Sequence, residues 1–298
     1  MSDAAARPRT LTFEIFRFNP EDPQSEPHTE EFQLEEQAFM TLYMALNRLR
    51  ETQDPSLQFD FACRESICGA CGMLVNGRPA LACKTLTNHL PDRITLFPLP
   101  VFKLIGDLSV DTGTWFRQIA ERTEAWIHPA SDFDPAEAEE RMDDELAQAI
   151  YEGDRCIECG CCVAACAVAN IDADFLGAAG LNRVARFAMD PRDQRSDADW
   201  FEIVAGEDGV FACIGLMACE DICPKDLPLL EVNAYLRRRV LSAGLASRKN
   251  ETERSASLWP VRRARGAHPF VRSGQQGGDP LRRGNGESRS PGSAARGR

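Results

Sequence analysis

Along residues 10–18 the apolar Leu11, Phe13 and Ile15 alternate with Thr12 and Glu14, the two-residue period of a strand with one face buried. Residues 28–35 repeat that alternation more weakly, and the stretch from Pro20 to Pro27 supplies the turn between them. The period then changes. Phe39, Leu42, Leu46 and Leu49 fall three and four residues apart, which predicts a short helix with these residues on its core face. Met73 to Val75 and Pro79 to Leu81 flank Asn76-Gly77, a dipeptide suited to a tight hairpin because both residues tolerate positive φ. A last strand from Ile94 to Pro98 closes a strand-rich N-terminal domain, taken as residues 1–108.

Helical spacing dominates after that. Trp115, Ile119, Trp126 and Ile127 stand among polar residues over 113–127 and predict a helical linker. Asp134-Pro135-Ala136-Glu137 has the form of an N-terminal cap, opening a helix with Met142, Leu146 and Ile150 on one face. Residues 178–189 read as a packing helix stopped at Asp190-Pro191. Leu229, Leu230, Val232, Leu236 and Val240 mark a final helix that also carries Arg237, Arg238 and Arg239. The second domain, residues 109–245, is therefore mainly helical, and the fold class is α+β.

Charge separates a third segment. Residues 247–298 hold 12 Lys plus Arg against 4 Asp plus Glu, a local +8 in a chain whose net charge is −12. The stretch 246–298 is rich in Arg, Gly, Ser and Pro and too poor in apolar residues to fold alone, which predicts a disordered tail. Its Arg clusters have no nucleic-acid-binding fold beside them, so no nucleic-acid partner is expected. For the rest, 298 residues suit two domains and 43% hydrophobic residues suffice for ordinary cores. No stretch approaches the ~20 apolar residues that span a bilayer.

Twelve cysteines carry the chemistry. Disulfides are the alternative use, but they belong to short secreted chains, and the N-terminus shows no apolar leader, which places the protein in the cytoplasm. Cys63, Cys68 and Cys71 are spaced C-x4-C-x2-C, with Cys83 further on, the plant-type [2Fe–2S] pattern. Gly69, Ala70 and Gly72 let the backbone close on such a cluster and aim N–H groups at its sulfurs. Arg64 and Lys84 stand beside it, positioned to favour the reduced form, to contact a partner, or simply to face solvent.

Cys156, Cys159, Cys162 and Cys166 are spaced C-x2-C-x2-C-x3-C, the bacterial ferredoxin pattern in which the fourth Cys ligates the other cluster. A second run repeats it from Cys213 through Cys219 to Cys223-Pro224, with Leu216 where a Cys would stand. Crossing the fourth ligands assigns Cys156, Cys159, Cys162 and Cys223 to a [4Fe–4S] cluster. Cys166, Cys213 and Cys219 remain, three thiolates that suit a [3Fe–4S] cluster. Cys161 falls outside the pattern and packs as a small apolar residue. There is no Ser/His/Asp grouping and no Gly-rich dinucleotide loop, and His28, His89, His128 and His268 are scattered, so no substrate-converting residue is assigned.

The order of these motifs, a C-x4-C-x2-C domain, then CIECGCC, then CIGLMACEDICPK, resembles the iron–sulfur subunits of succinate dehydrogenases and fumarate reductases over roughly residues 9–243. The resemblance implies a β-grasp ferredoxin domain joined to a helical ferredoxin domain, holding one [2Fe–2S], one [4Fe–4S] and one [3Fe–4S] cluster. It further implies a peripheral position on the cytoplasmic face of the cell membrane, between an FAD-bearing catalytic subunit and a membrane anchor. Single electrons would pass from one to the other, or in reverse, in the tricarboxylic acid cycle or in anaerobic respiration. Ala167 follows Cys166 where many members have Pro, and Ile214 follows Cys213 where some have a quinone-binding His. The second Cys run and Gly177 to Arg183 look more like the branch whose anchor carries two haems and keeps the site for menaquinone or ubiquinone within itself. The alternatives are a free ferredoxin carrier or cluster-based sensor, and the iron–sulfur subunit of another flavin dehydrogenase or of a heterodisulfide-reductase-like complex.

Overall fold

Leu11, Phe13 and Ile15 have no exposed surface, while Thr12 and Glu14 between them remain partly exposed, so the alternation does build a one-sided strand, β1 (Thr10–Arg17). The computed structural model describes residues 9–130 and 141–246. β1 pairs antiparallel with β2 (His28–Glu35) and parallel with β5 (Arg93–Phe97). The hairpin of β3 (Gly72–Val75) and β4 (Arg78–Leu81) joins β5 through β3, giving a five-stranded sheet of order β2-β1-β5-β3-β4. Asn76 and Gly77 turn that hairpin with φ of 50° and 77°, the left-handed values the dipeptide was chosen for. Helix α1 (Leu42–Thr52) buries Leu42, Leu46 and Leu49 in the same core as the sheet residues.

Phe39 departs from expectation. It is 85% exposed at φ 58°, because the chain turns there before Thr41 caps α1 through its hydroxyl, and Met40 takes the buried place instead. Periodicity also missed the small antiparallel ribbon of β6 (Lys103–Gly106) and β7 (Ser109–Asp111). The buried Asp107 between them accepts from the backbone N–H of Phe18 and of Gln58, both at 2.9 Å, and pairs with Arg17 at 3.2 Å.

Asp111 then caps α2 (Thr112–Arg122) by accepting from Thr114 N–H. The expected linker helix thus ends earlier than 127, and Trp126 lies beyond it, half exposed and stacked on His128. The cap expected at Asp134 to Glu137 falls outside the described residues. α3 (Asp144–Asp154) is capped by Asp143, and Met142 precedes it. The remaining helices are α4 (Cys161–Ala164), α5 (Gly177–Met189), α6 (Asp197–Val204), α7 (Ala218–Asp221) and α8 (Leu229–Ala246). The expected tail lies outside the described residues.

Two apolar cores result, and each borrows from the other half of the chain. Leu99 and Phe102, from the connection after β5, sit in the core of the helices, whereas Cys159, from the loop before α4, and Cys161, its first residue, sit in the core of the sheet.

Candidate metal centres

Cys63, Cys68 and Cys71 lie on the loop that enters β3, and the hairpin returns Cys83 to it. The loop is wound so that its own amides face sulfur. Ile67, Cys68 and Glu65 N–H donate to Cys63 Sγ at 3.2, 3.3 and 3.4 Å, and Ser66 N–H donates to Cys83 Sγ at 3.2 Å. Arg64 and Ser66 take left-handed backbone values of 63° and 59° to permit it. The amides of Glu65 and Ile67 hold the Cys63 thiol down at about 6, and burial pushes Cys71 up to about 12. The amides that meet the cysteine thiols themselves come from residues 65–68.

Gly69 and Gly72 serve the contact between the two halves. A Cβ on Gly69 would lie 2.8 Å from the Ile157 carbonyl oxygen and 2.9 Å from Cys159 Cα, and one on Gly72 would lie 3.1 Å from the Cys159 carbonyl oxygen. Lys84 closes the same seam, its Nζ donating at 2.6 Å to the carbonyl oxygen of Pro224. Arg64 lies over the rings of Tyr43 and Phe61.

Cys156, Cys159, Cys162 and Cys223 line one cleft, walled by Phe116, Leu227 and Leu229 among others. The first run alone does not make it; Cys223 arrives from the far end of the second. Burial pushes Cys156 up to about 12, and Cys159 and Cys223 are the neighbouring thiols that add to the shift. Gly160 turns the loop at φ 78°, and a Cβ there would meet the Phe102 ring at 2.7 Å. Segment 177–183 braces the loop from behind: Asn182 Nδ2 donates to the Gly153 carbonyl at 2.8 Å, and Arg183 pairs with Glu158.

Around the third set, burial pushes Cys219 up to about 11, and Cys213 and Cys166 are the neighbouring thiols that add to the shift. Arg237 of α8 holds this region by donating to the carbonyls of Val210 and Cys213. Asn170 Nδ2 does the same at the carbonyl of Cys166, at 2.8 Å. Gly215 and Met217 are both left-handed, and Ile214, Leu216 and Met217 are largely exposed beside these thiols.

Cys161 is fully buried in the sheet core, as a packing residue would be, and its interaction with the neighbouring Cys159 thiol lowers the proton affinity of Cys159 and raises its own. The donor sets fit iron–sulfur groups: soft sulfur ligands, buried thiols that would lose their protons on binding metal, and amides supplied to the sulfurs. Among the described residues no three such side chains gather as ligands of a single ion do. Of the histidines, His28 Nδ1 contacts the Glu26 carbonyl and His128 pairs with Glu124, while His268 lies outside the described residues.

Comparison with known proteins agrees with this chemistry. Residues 12–117 match the family described as a 2Fe-2S iron-sulfur cluster binding domain, and residues 152–227 match the 4Fe-4S dicluster domain. The fumarate reductase iron-sulfur subunit of Wolinella succinogenes is 54% identical over 235 residues, covering 78% of this chain and 98% of that protein. The succinate dehydrogenase iron-sulfur subunit of Coxiella burnetii is 35% identical, covering 78% and 97%. A solved chain described as the Mycobacterium smegmatis Sdh1 complex in the apo form shares the fold, with a TM-score of 0.71 at 24% identity over 82% of this chain and 99% of that one. Among the described residues no helix is long and apolar enough to cross a membrane. With a 2Fe-2S domain followed by a 4Fe-4S dicluster domain and relatives matched over nearly their whole length, the chain belongs to the electron-transferring iron–sulfur subunits of succinate dehydrogenase and fumarate reductase complexes.

Proposed function

We propose that this chain holds three clusters: [2Fe–2S] on Cys63, Cys68, Cys71 and Cys83, [4Fe–4S] on Cys156, Cys159, Cys162 and Cys223, and [3Fe–4S] on Cys166, Cys213 and Cys219. The observation that carries the reading is the cleft shared by Cys156, Cys159, Cys162 and Cys223, since it crosses the two Cys runs as the spacing rule requires. When bound, the clusters supply one-electron chemistry, with potentials set by type, hydrogen bonds and burial. The protein's part is to hold thiolates, to stabilise their charge with the amides of residues 65–68, and to keep water away with Phe116, Leu227 and Leu229.

The partners in this reading are an FAD-bearing catalytic subunit and a membrane anchor, haem-bearing and serving menaquinone or ubiquinone, with the chain on the cytoplasmic face of the cell membrane. The likeness to the Wolinella subunit supports that arrangement. The division into residues 1–108, 109–245 and 246–298 belongs to the same proposal, with the β6–β7 ribbon at the first junction. Purifying the native complex and recording iron content, electron paramagnetic resonance, and succinate oxidation against fumarate reduction tests it. Three cluster signals in a preparation containing a flavoprotein and a membrane protein are expected. A chain isolated alone, loaded and freely diffusing, would instead mean a ferredoxin-type carrier.

A further inference from the structure

The residue after Cys83 and the residue after Cys223 are joined. Lys84 Nζ donates to the carbonyl oxygen of Pro224 at 2.6 Å across 140 positions of sequence. The acceptor is well fixed, because proline locks its own φ and the next carbonyl, that of Lys225, accepts from Arg155 at 2.7 Å. One turn is therefore held from the sheet half by Lys84 and from the helical half by Arg155. Lys84 is exposed, so its ammonium stands at the solvent edge of the seam.

We propose that Lys84 is a positioning residue for the electron step between the two thiolate sets that meet here. The inference rests on the ligand sets proposed above. In that step the group on Cys63, Cys68, Cys71 and Cys83 loses one electron, the group on Cys156, Cys159, Cys162 and Cys223 gains it, and no proton moves; the reverse direction balances in the same way. Electron transfer weakens exponentially with separation, so a tie between the backbones bearing Cys83 and Cys223 acts on its rate directly. Gly69 and Gly72 let their loop meet the Ile157–Cys159 backbone, and Lys84 ties the residue after Cys83 to the turn after Cys223. The ammonium has a second effect. It lowers the energy of added negative charge on either group, which a purely mechanical tie would not do.

The test uses the complete complex carrying Lys84→Met or Lys84→Arg, with iron content measured first. In the reduced complex, the spin relaxation of the [2Fe–2S] signal reports its coupling to the neighbouring [4Fe–4S] spin. Lys84→Met should keep full iron, lose part of that relaxation enhancement, and shift the potentials of both groups downward. Lys84→Arg, which keeps charge and donor, should restore both readings. Should Lys84→Met fail to load iron, Lys84→Gln carries the same comparison with a shorter neutral donor. Unchanged relaxation and unchanged potentials in an iron-replete neutral variant overturn the proposal. Absence of the [2Fe–2S] or [4Fe–4S] signal in the unmodified complex would instead refute the ligand sets on which it rests.

Discussion

Gly69 lies so close to Cys159 that a single methyl group between them would sit 2.9 Å from the Cys159 Cα and 2.8 Å from the Ile157 carbonyl oxygen. Gly69 also has φ of 77°, so a side chain there is opposed twice, by its own backbone and by the facing loop. Gly69→Ala should destabilise the protein by about 2 kcal/mol and lower the iron retained by both thiolate sets that meet at this seam. Denaturant unfolding and iron analysis check it; a loss confined to the third set, around Cys166, would mean the seam is not where the strain falls.

Cys161 separates ligation from support. Cys161→Ala should keep the full complement of iron, because the residue packs in the sheet core rather than lining the cleft. It should shift the [4Fe–4S] potential downward, because Cys159 loses the neighbouring thiol that stabilises its negative form. Cys162→Ser should damage the site itself. Equal iron loss in both variants would put the ligand register wrong by one residue.

Acid should find a weak point at Asp54. Burial would raise its pKa, but hydrogen bonds from Ser56 and Arg17 hold the carboxyl down at about 2. A lowered folded-state value stabilises above the ordinary carboxylate range and loses that contribution as pH falls from about 4 toward 2. Asp54→Asn should cost roughly 1 kcal/mol near neutrality, after allowance for solvent screening, and the difference from wild type should shrink on acidification. Unfolding free energies of both proteins from pH 6 down to pH 3 give the answer; a difference that grows with acid would reverse the sign.

Leu216 occupies the place of the missing thiolate in the repeat, and it stands largely exposed beside Cys213 and Cys219. Leu216→Cys should add a fourth ligand, convert the third site toward [4Fe–4S], and lower its potential through the extra negative charge. The three-iron resonance of the oxidised complex should fade while dye-linked flavin activity persists. Full retention of that resonance would mean Leu216 does not face the vacant corner.

Much of this was legible because it is local. The alternation of Leu11, Phe13 and Ile15 and the Asn76-Gly77 turn each depend on a few adjacent residues, and the structure follows them; the spacing of the cysteines is local in the same way, and Cys156, Cys159, Cys162 and Cys223 line one cleft. What escaped was tertiary. Lys84 meets Pro224 across 140 positions, and Gly69 meets Cys159, yet nothing beside either residue announces its partner. At Gly69 the missing Cβ lets the facing loop approach, a need that only the tertiary structure reveals. Phe39 kept the helical spacing but fell on the turn before the cap, and the β6–β7 ribbon is too short to show a period. Ser196 and Asp199 do spell a capping box for α6, a signal available in the sequence that the hydrophobic pattern alone did not reveal.

The central claim is the crossing of the two cysteine runs, and Cys223 tests it most directly. Cys223 stands in the second run but lines the cleft of the first. In a complex purified with Cys223→Ser, electron paramagnetic resonance should show the [4Fe–4S] signal lost or altered, with the three-iron and [2Fe–2S] signals at full strength. Loss of the three-iron signal with the [4Fe–4S] signal intact would contradict the account.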